Sequence, residues 1–251
     1  QNGSLPDADD LRMPRAAHDD WIVLACALHL GAVDDQPVSR HLLIAYDDLF
    51  SIEYFYRKLR PYWRRGGMEI DELLREAEQD LPQLQEECAR FDAELLADLK
   101  KAGGEKYADL CTLAYRQCLA AHKLVADFDG TPLFFSKENF SNGCIATVDV
   151  TYPSSPFFLL FNPALLKGML TPVLEYARSP RWKFPFAPHD LGTYPKANGQ
   201  VYGGGERSEE NQMPVEECGN MLLMVAALAK AEGNADYAKR YWSLLTQWAE
   251  Y

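Results

Sequence analysis

HDLGTYPKANGQVYGGGERSEENQMPVEECGNMLLM, residues 189–224, decides the reading of this chain. A polar loop carries His189 and Asp190 among prolines and aromatics, and a glycine run, Gly203–Gly205, follows it. Pro214 then opens a helix whose first turn holds Glu216 and Glu217. Proline is tolerated at the first helical position, and carboxylates there suit the positive end of the helix dipole. Asn220 sits against the apolar run Met221–Ala229, the pattern of a helix buried on most of its circumference. A buried amide must find partners, so Asn220 is either a structural clasp or part of a site. One reading makes the glutamates helix caps and the loop a connection. The other notes that a loop of this length inside a compact domain tends to be functional or disordered.

Working outward, the chain changes period several times. The first twenty residues are irregular. WIVLACALHLGAV (21–33) and PVSRHLLIAYDD (37–48) are short apolar runs broken by Gly31 and Asp34–Asp35, and they predict two strands within 21–46. Two strands do not make a stable sheet alone. These lack partners, and the last helix stops without a cap, so further polypeptide is expected to complete the fold. From Asp47 the aromatic stripe LFSIEYFYRKLRPYW reads as helical as far as Arg64–Gly67. Ile70, Leu73, Leu74, Ala77 and onward to Leu99 keep the helical rhythm, with a kink or restart expected near Asp80 from Pro82. Gly103–Gly104 closes that element, and a helix follows over about 105–122. Asp129–Gly130 between two alternating runs predicts a two-residue hairpin within 124–136. The passage SKENFSNGCIATVDVTYP, with Lys137, Glu138, Asp149 and Tyr152, reads as turn-rich. Helices resume after Pro156 and after Pro163, the latter capped by Asn162 and bent by Pro172. A final amphipathic helix runs to Tyr251.

The expectation is a mainly α chain of antiparallel helical hairpins, with short β segments near the start and a β-hairpin in the middle. A hydrophobic content of 47% and aromatic content of 12% are ample for a core. A net charge of −12 argues against a nucleic-acid surface, which needs clustered Lys and Arg. No stretch approaches 18 uninterrupted apolar residues, so no membrane span is expected. The six cysteines show no zinc spacing, and no bridge suits Cys111 and Cys118 on one helix. Neither a P-loop, a GxGxxG fingerprint nor GxSxG is present. No cofactor and no metal are expected; the partner is a small-molecule substrate.

The chemistry on offer is acids and amides from three irregular stretches. Asp149, Asp190, Glu216 and Glu217 are the candidate catalytic carboxylates. His189, Lys137, Glu138, Tyr152, Tyr194 and Asn220 are candidate substrate-binding residues. Two carboxylates held apart at one end of a toroid can serve as general acid and general base around a water. Each also has a plain structural reading: Asp149 as a turn cap, Asp190 as a clasp of its own loop, Lys137–Glu138 as an exposed edge pair, Cys218 as a small hydrophobe. Glu216 or Glu217 shares a helix face with Asn220, and the two glutamates diverge by about 100°. One should face the pocket while the other ties down the helix end. The dipole is expected to depress the pKa of the pocket-facing carboxylate, so that the acid comes from Asp149 or Asp190.

TVDVTYP (147–153), HDLGTYPKANG (189–199) and MPVEECGNML (213–222) resemble the secreted glutaminase A family, as do HLLIAYDDLFSIEYF (41–55) and KYADLCTLAYRQCLAAHK (106–123). The resemblance implies an internal segment of a longer member, in which residues 1–46 end a β-rich domain or linker and residues 47–251 form part of an (α/α) six-hairpin toroid of glycosidase type, with export to a secreted or periplasmic location and hydrolysis of glutamine to glutamate and ammonia. A glycoside hydrolase using two of the same carboxylates, or a non-catalytic carbohydrate-binding toroid, is the alternative. A glycosidase pocket would offer aromatic platforms such as Trp182, Tyr194 and Tyr202, with carboxylates roughly 5–10 Å apart. A glutamine site would need a cation for the α-carboxylate, for which Lys137 is the candidate.

Overall fold

A computed structural model describes residues 5–16, 18–19, 23–138 and 141–251. Residues 1–45 and 46–251 are two compact units. In the first unit, no segment among the described residues is a strand or helix. The two strands expected within 21–46 are therefore not formed over residues 23–46; Trp21 and Ile22, where the first would begin, lie outside the described residues. Leu24 and Ile44 are among the apolar side chains left exposed. A strand gains its stability from a paired edge and a buried face, and these runs have neither.

The second unit opens with short strands instead of the expected helix: β1 (Ile52–Tyr54) and β2 (Arg57–Leu59) pair antiparallel. Ile52, Tyr54 and Leu59 turn inward, the period of a strand. The two-residue turn between them is Phe55–Tyr56, both at positive φ (44° and 64°). Residues that bulky seldom enter that region. Here Phe55 packs on Tyr176, ring centroids 5.5 Å apart, and the Tyr56 amide donates to Asn198 Oδ1 at 2.9 Å. A 3-10 turn (Tyr62–Gly66) follows, its buried Arg64 paired with Asp47 and Glu69.

Seven helices follow among the described residues, in two pairs and a group of three: α1 (Ile70–Gly103) with α2 (Glu105–Ala120), α3 (Val148–Phe161) with α4 (Pro163–Arg178), and α5 (Pro214–Glu232) with the short α6 (Asp236–Lys239) and α7 (Trp242–Glu250). The chain is mainly helical with small sheets, as a partial toroid of hairpins should be. Pro82 does not divide α1. No residue of α1 is buried, so solvent can satisfy the carbonyl that the proline leaves unbonded. The helix α3 begins at Val148, eight residues earlier than the prolines suggest, and contains both Pro153 and Pro156. Pro156 frees the Tyr152 carbonyl, and the Ser155 hydroxyl donates to it at 2.8 Å.

Between α2 and α3, β3 (His122–Ala126) and β4 (Pro132–Ser136) form the expected hairpin. Its loop is five residues, Asp127–Thr131, not two. The sheet lies on α4 so closely that a Cβ on Gly168 would stand 3.0 Å from the Pro132 carbonyl oxygen. Leu166, Leu170 and Leu174 on α4 are completely buried, which makes this helix the centre of the core. Residues 179–213 hold only the two-residue strand β5 (Lys196–Ala197), parallel to β1.

Candidate active site

The long loop is anchored at each end of its polar segment. The Leu191 amide donates to the Ile145 carbonyl (3.0 Å), the Ile145 amide to the Gly192 carbonyl (2.9 Å), and the Tyr194 amide to the Gly143 carbonyl (3.0 Å). The Val148 amide, first in α3, donates to the His189 carbonyl at 2.8 Å. On the other side, the Ala187 amide donates to Cys218 Sγ of α5 at 3.2 Å. The loop thereby ties the N-terminal turns of α3 and α5 together, with His189 between them.

The groups gathered there are Asp149 from α3, His189 and Asp190 from the loop, and Glu217 and Asn220 from α5. Acceptor atoms of Asp149, His189 and Glu217 all lie within 4.8 Å of one another. His189 Nε2 stands 3.9 Å from Asp149 Oδ1, and its Nδ1 is 3.0 Å from Asp190 Oδ2. The imidazole stacks on the Tyr202 ring, centroids 4.0 Å apart and 15° from parallel. Asp190 is buried and collects the backbone amides of Gly192 (2.8 Å) and Val201 (3.1 Å) on Oδ1 and of Tyr202 (3.1 Å) on Oδ2. Gly192 permits this geometry: its φ is +138°, and a Cβ there would lie 2.3 Å from the Lys196 carbonyl oxygen.

Glu217 is 0% exposed, and neither of its carboxyl oxygens has a hydrogen-bond partner of normal geometry. Burial pushes its pKa up to about 9, the charges of Asp149 and Glu216 push the same way, and only the Asn220 amide one helical turn on pulls it back. This reverses the depression expected from the helix dipole. A dipole at an exposed end acts on a charge that water also solvates, whereas loss of water around a carboxylate costs far more. Glu216 points to solvent. Nearby, Cys144 is buried, and desolvation with the charges of Asp190, Glu138 and Asp149 lifts its thiol up to about 12.

The remaining candidates stand apart from this cluster or at its edge. Glu138 is half-buried and accepts from Thr147 Oγ1 at 3.1 Å, one residue before α3. Lys137 is exposed, its Nζ 4.6 Å from the centroid of the half-buried Tyr194 ring. Tyr152 is exposed on α3. Trp182 is no platform: it is buried against Phe184 and Phe186. Sequence reasoning missed Gln200, whose Oε1 accepts the His189 amide at 2.7 Å and whose Nε2 donates to Gln212 Oε1 at 2.6 Å. The Gln200 amide in turn donates to Tyr176 Oη, and that hydroxyl donates to Glu206. A loop has no periodicity from which to read burial, so only the unusual density of polar residues in 189–212 marked it.

A family model described as the glutaminase A six helical-hairpin domain matches residues 104–251, and that of a domain of unknown function, DUF5127, matches residues 1–98. Glutaminase A of Aspergillus oryzae is 31% identical over 258 residues, covering 100% of this chain and 36% of its own length. A protein of Arthroderma benhamiae named probable glutaminase is 37% identical over 170 residues, covering 66% of this chain and 19% of its own length. The chain thus spans about a third and a fifth of these relatives.

Proposed function

The chain belongs to the glutaminase A six helical-hairpin family, and on that premise we propose that it carries the hydrolytic centre of a glutaminase-like amidohydrolase, which converts glutamine to glutamate and ammonia. The observation that carries this reading is Glu217: a completely buried carboxyl group with no hydrogen-bond partner of normal geometry on either oxygen, within 4.8 Å of Asp149 and His189. Held neutral by burial, Glu217 is the acid that protonates the departing nitrogen. Water is activated on the Asp149–His189 side, so acid and base face each other across the scissile amide. Asn220 steadies Glu217 from the next turn.

Asp149 and Glu217 bring carboxyl oxygens within 4.8 Å of each other. Trp182, one of the candidate sugar platforms, is spent on the core, which favours an amide over a glycoside. In the same reading the segment belongs to an exported polypeptide, secreted or periplasmic, and packs on further parts of it, with residues 1–46 closing the region that precedes the toroid. Ammonia release by the full-length protein, measured with glutamine beside a panel of glycosides, tests the function. Turnover of glutamine, reduced roughly 10²–10⁴-fold in Glu217→Gln, is expected; hydrolysis of a glycoside with none of glutamine would overturn it.

A further inference from the structure

We infer that His189 Nε2 is the base that takes the proton of the attacking water, and that Asp190 is the positioning residue that aims it. The inference rests on the reading of this cluster as a hydrolytic centre, and it separates two residues that the sequence offers only as neighbours.

Asp190 has no capacity left for proton transfer with a substrate. It is 1% exposed, and its two oxygens face four nitrogens: Gly192 and Val201 on Oδ1, Tyr202 and His189 Nδ1 on Oδ2. Backbone amides only donate, so the carboxylate is an acceptor on both oxygens, and the fourth bond is completed when Nδ1 donates. The neutral imidazole then carries its proton on Nδ1 and presents a lone pair at Nε2. That atom faces the cluster, 3.9 Å from Asp149 Oδ1, which is too long for a hydrogen bond. The ring has no freedom to turn away. Tyr202 covers one face, Gln200 holds the His189 amide, and the Val148 amide holds its carbonyl.

The step balances with these groups alone. Water forms the new C–O bond to the amide carbon and gives one proton to His189 Nε2. The C–N bond breaks as nitrogen takes the proton of Glu217, and ammonia leaves. The imidazolium, beside the Asp149 carboxylate, then returns its proton to Glu217 across a gap under 4.8 Å, directly or through one water. Both groups are restored, and no further reactant enters.

The test uses the full-length protein in two arms. In histidine-labelled protein, with the signal assigned by loss in His189→Gln, ¹⁵N spectra should show the Nδ1-protonated tautomer of His189, lost in Asp190→Asn. An Nε2-protonated wild type, or an unchanged tautomer in Asp190→Asn, refutes the role of Asp190 whatever the substrate. The second arm compares glutamine with γ-glutamyl p-nitrophenyl ester, whose leaving group needs no proton. Glu217→Gln should lose roughly 10²–10⁴-fold on glutamine and recover most of it on the ester. His189→Gln and Asp190→Asn should lose kcat on both, at little changed KM and with a native circular dichroism spectrum. Near-normal kcat on the ester in either variant refutes His189 as base while leaving Glu217 as acid. No turnover of either substrate by the wild type refutes the hydrolytic reading, and the base role with it.

Discussion

The His189 carbonyl accepts the amide of Val148 at 2.8 Å, joining the middle of a long loop to the first residue of a helix 41 positions earlier in the chain. Four N–H groups at the start of a helix lack internal partners, and no side chain caps α3. The loop supplies one of the missing acceptors, and the same contact carries the imidazole to within 3.9 Å of Asp149. Capping and site assembly are therefore one event.

Because that event depends on the path of the loop, Gly192 should be intolerant of change. Ala at this position meets the Lys196 carbonyl oxygen and must leave a φ of +138°. Gly192→Ala should cost about 1–3 kcal/mol and displace the amide that donates to Asp190. Urea unfolding should show the loss in stability, and turnover should fall by more than that loss accounts for. Unchanged stability would mean that the turn adjusts freely.

Glu217 should cost the fold stability at neutral pH. Its pKa stands at about 9 in the folded chain against 4.5 ordinarily. Its contribution is therefore full below pH 4.5 and is lost as pH rises through 9, since the folded state holds a proton that the unfolded state has released. Glu217→Gln should thus be more stable than wild type by roughly 3–5 kcal/mol at pH 7–8, with the gap closing near pH 4.5. Denaturation curves at pH 5 and pH 8 check this, and a gap independent of pH would count against it.

His122 makes an opposite demand. It is stacked on Phe134 at 4.6 Å with Phe158 across its edge, and burial drops its pKa to about 4 from 6.5. The folded state keeps it neutral. Its contribution is therefore full above pH 6.5 and is lost as pH falls towards 4, on the order of 3 kcal/mol in all. His122→Phe should flatten stability across that window. A variant with the wild-type slope between pH 6.5 and 4 would locate the titration elsewhere.

Cys144 is 2% exposed with its thiol pushed up to about 12. A thiol so rarely ionised at neutral pH should resist alkylation until the chain unfolds. Mass spectrometry of the peptide containing Cys144, with and without denaturant, reads this directly. Rapid labelling of the folded protein would show the segment around residue 144 to be open.

Much of the architecture was legible in the residues themselves. Helical periodicity over 70–99, Gly103–Gly104 as a break, Asn162–Pro163 and Pro214 as starts, and the alternation around Asp129–Gly130 are local signals, set by side-chain period and backbone freedom within a few residues. The motifs around 147–153, 189–199 and 213–222 likewise carried the family. Tertiary structure decided where local signals were weak or misleading. Phe55–Tyr56 turns a hairpin against its own preference because Tyr176 and Asn198 hold it. The apolar runs of 23–46 read as strands, yet strand formation needs a partner that no local pattern specifies. The division of labour between Glu216 and Glu217 followed the same rule. Helical geometry required that they diverge by about 100°, but which one lost its water depended on the loop and α3 closing over position 217. Burial is a property of the assembled neighbours, and it set the acidity of Glu217 against the helix dipole that the sequence alone made visible.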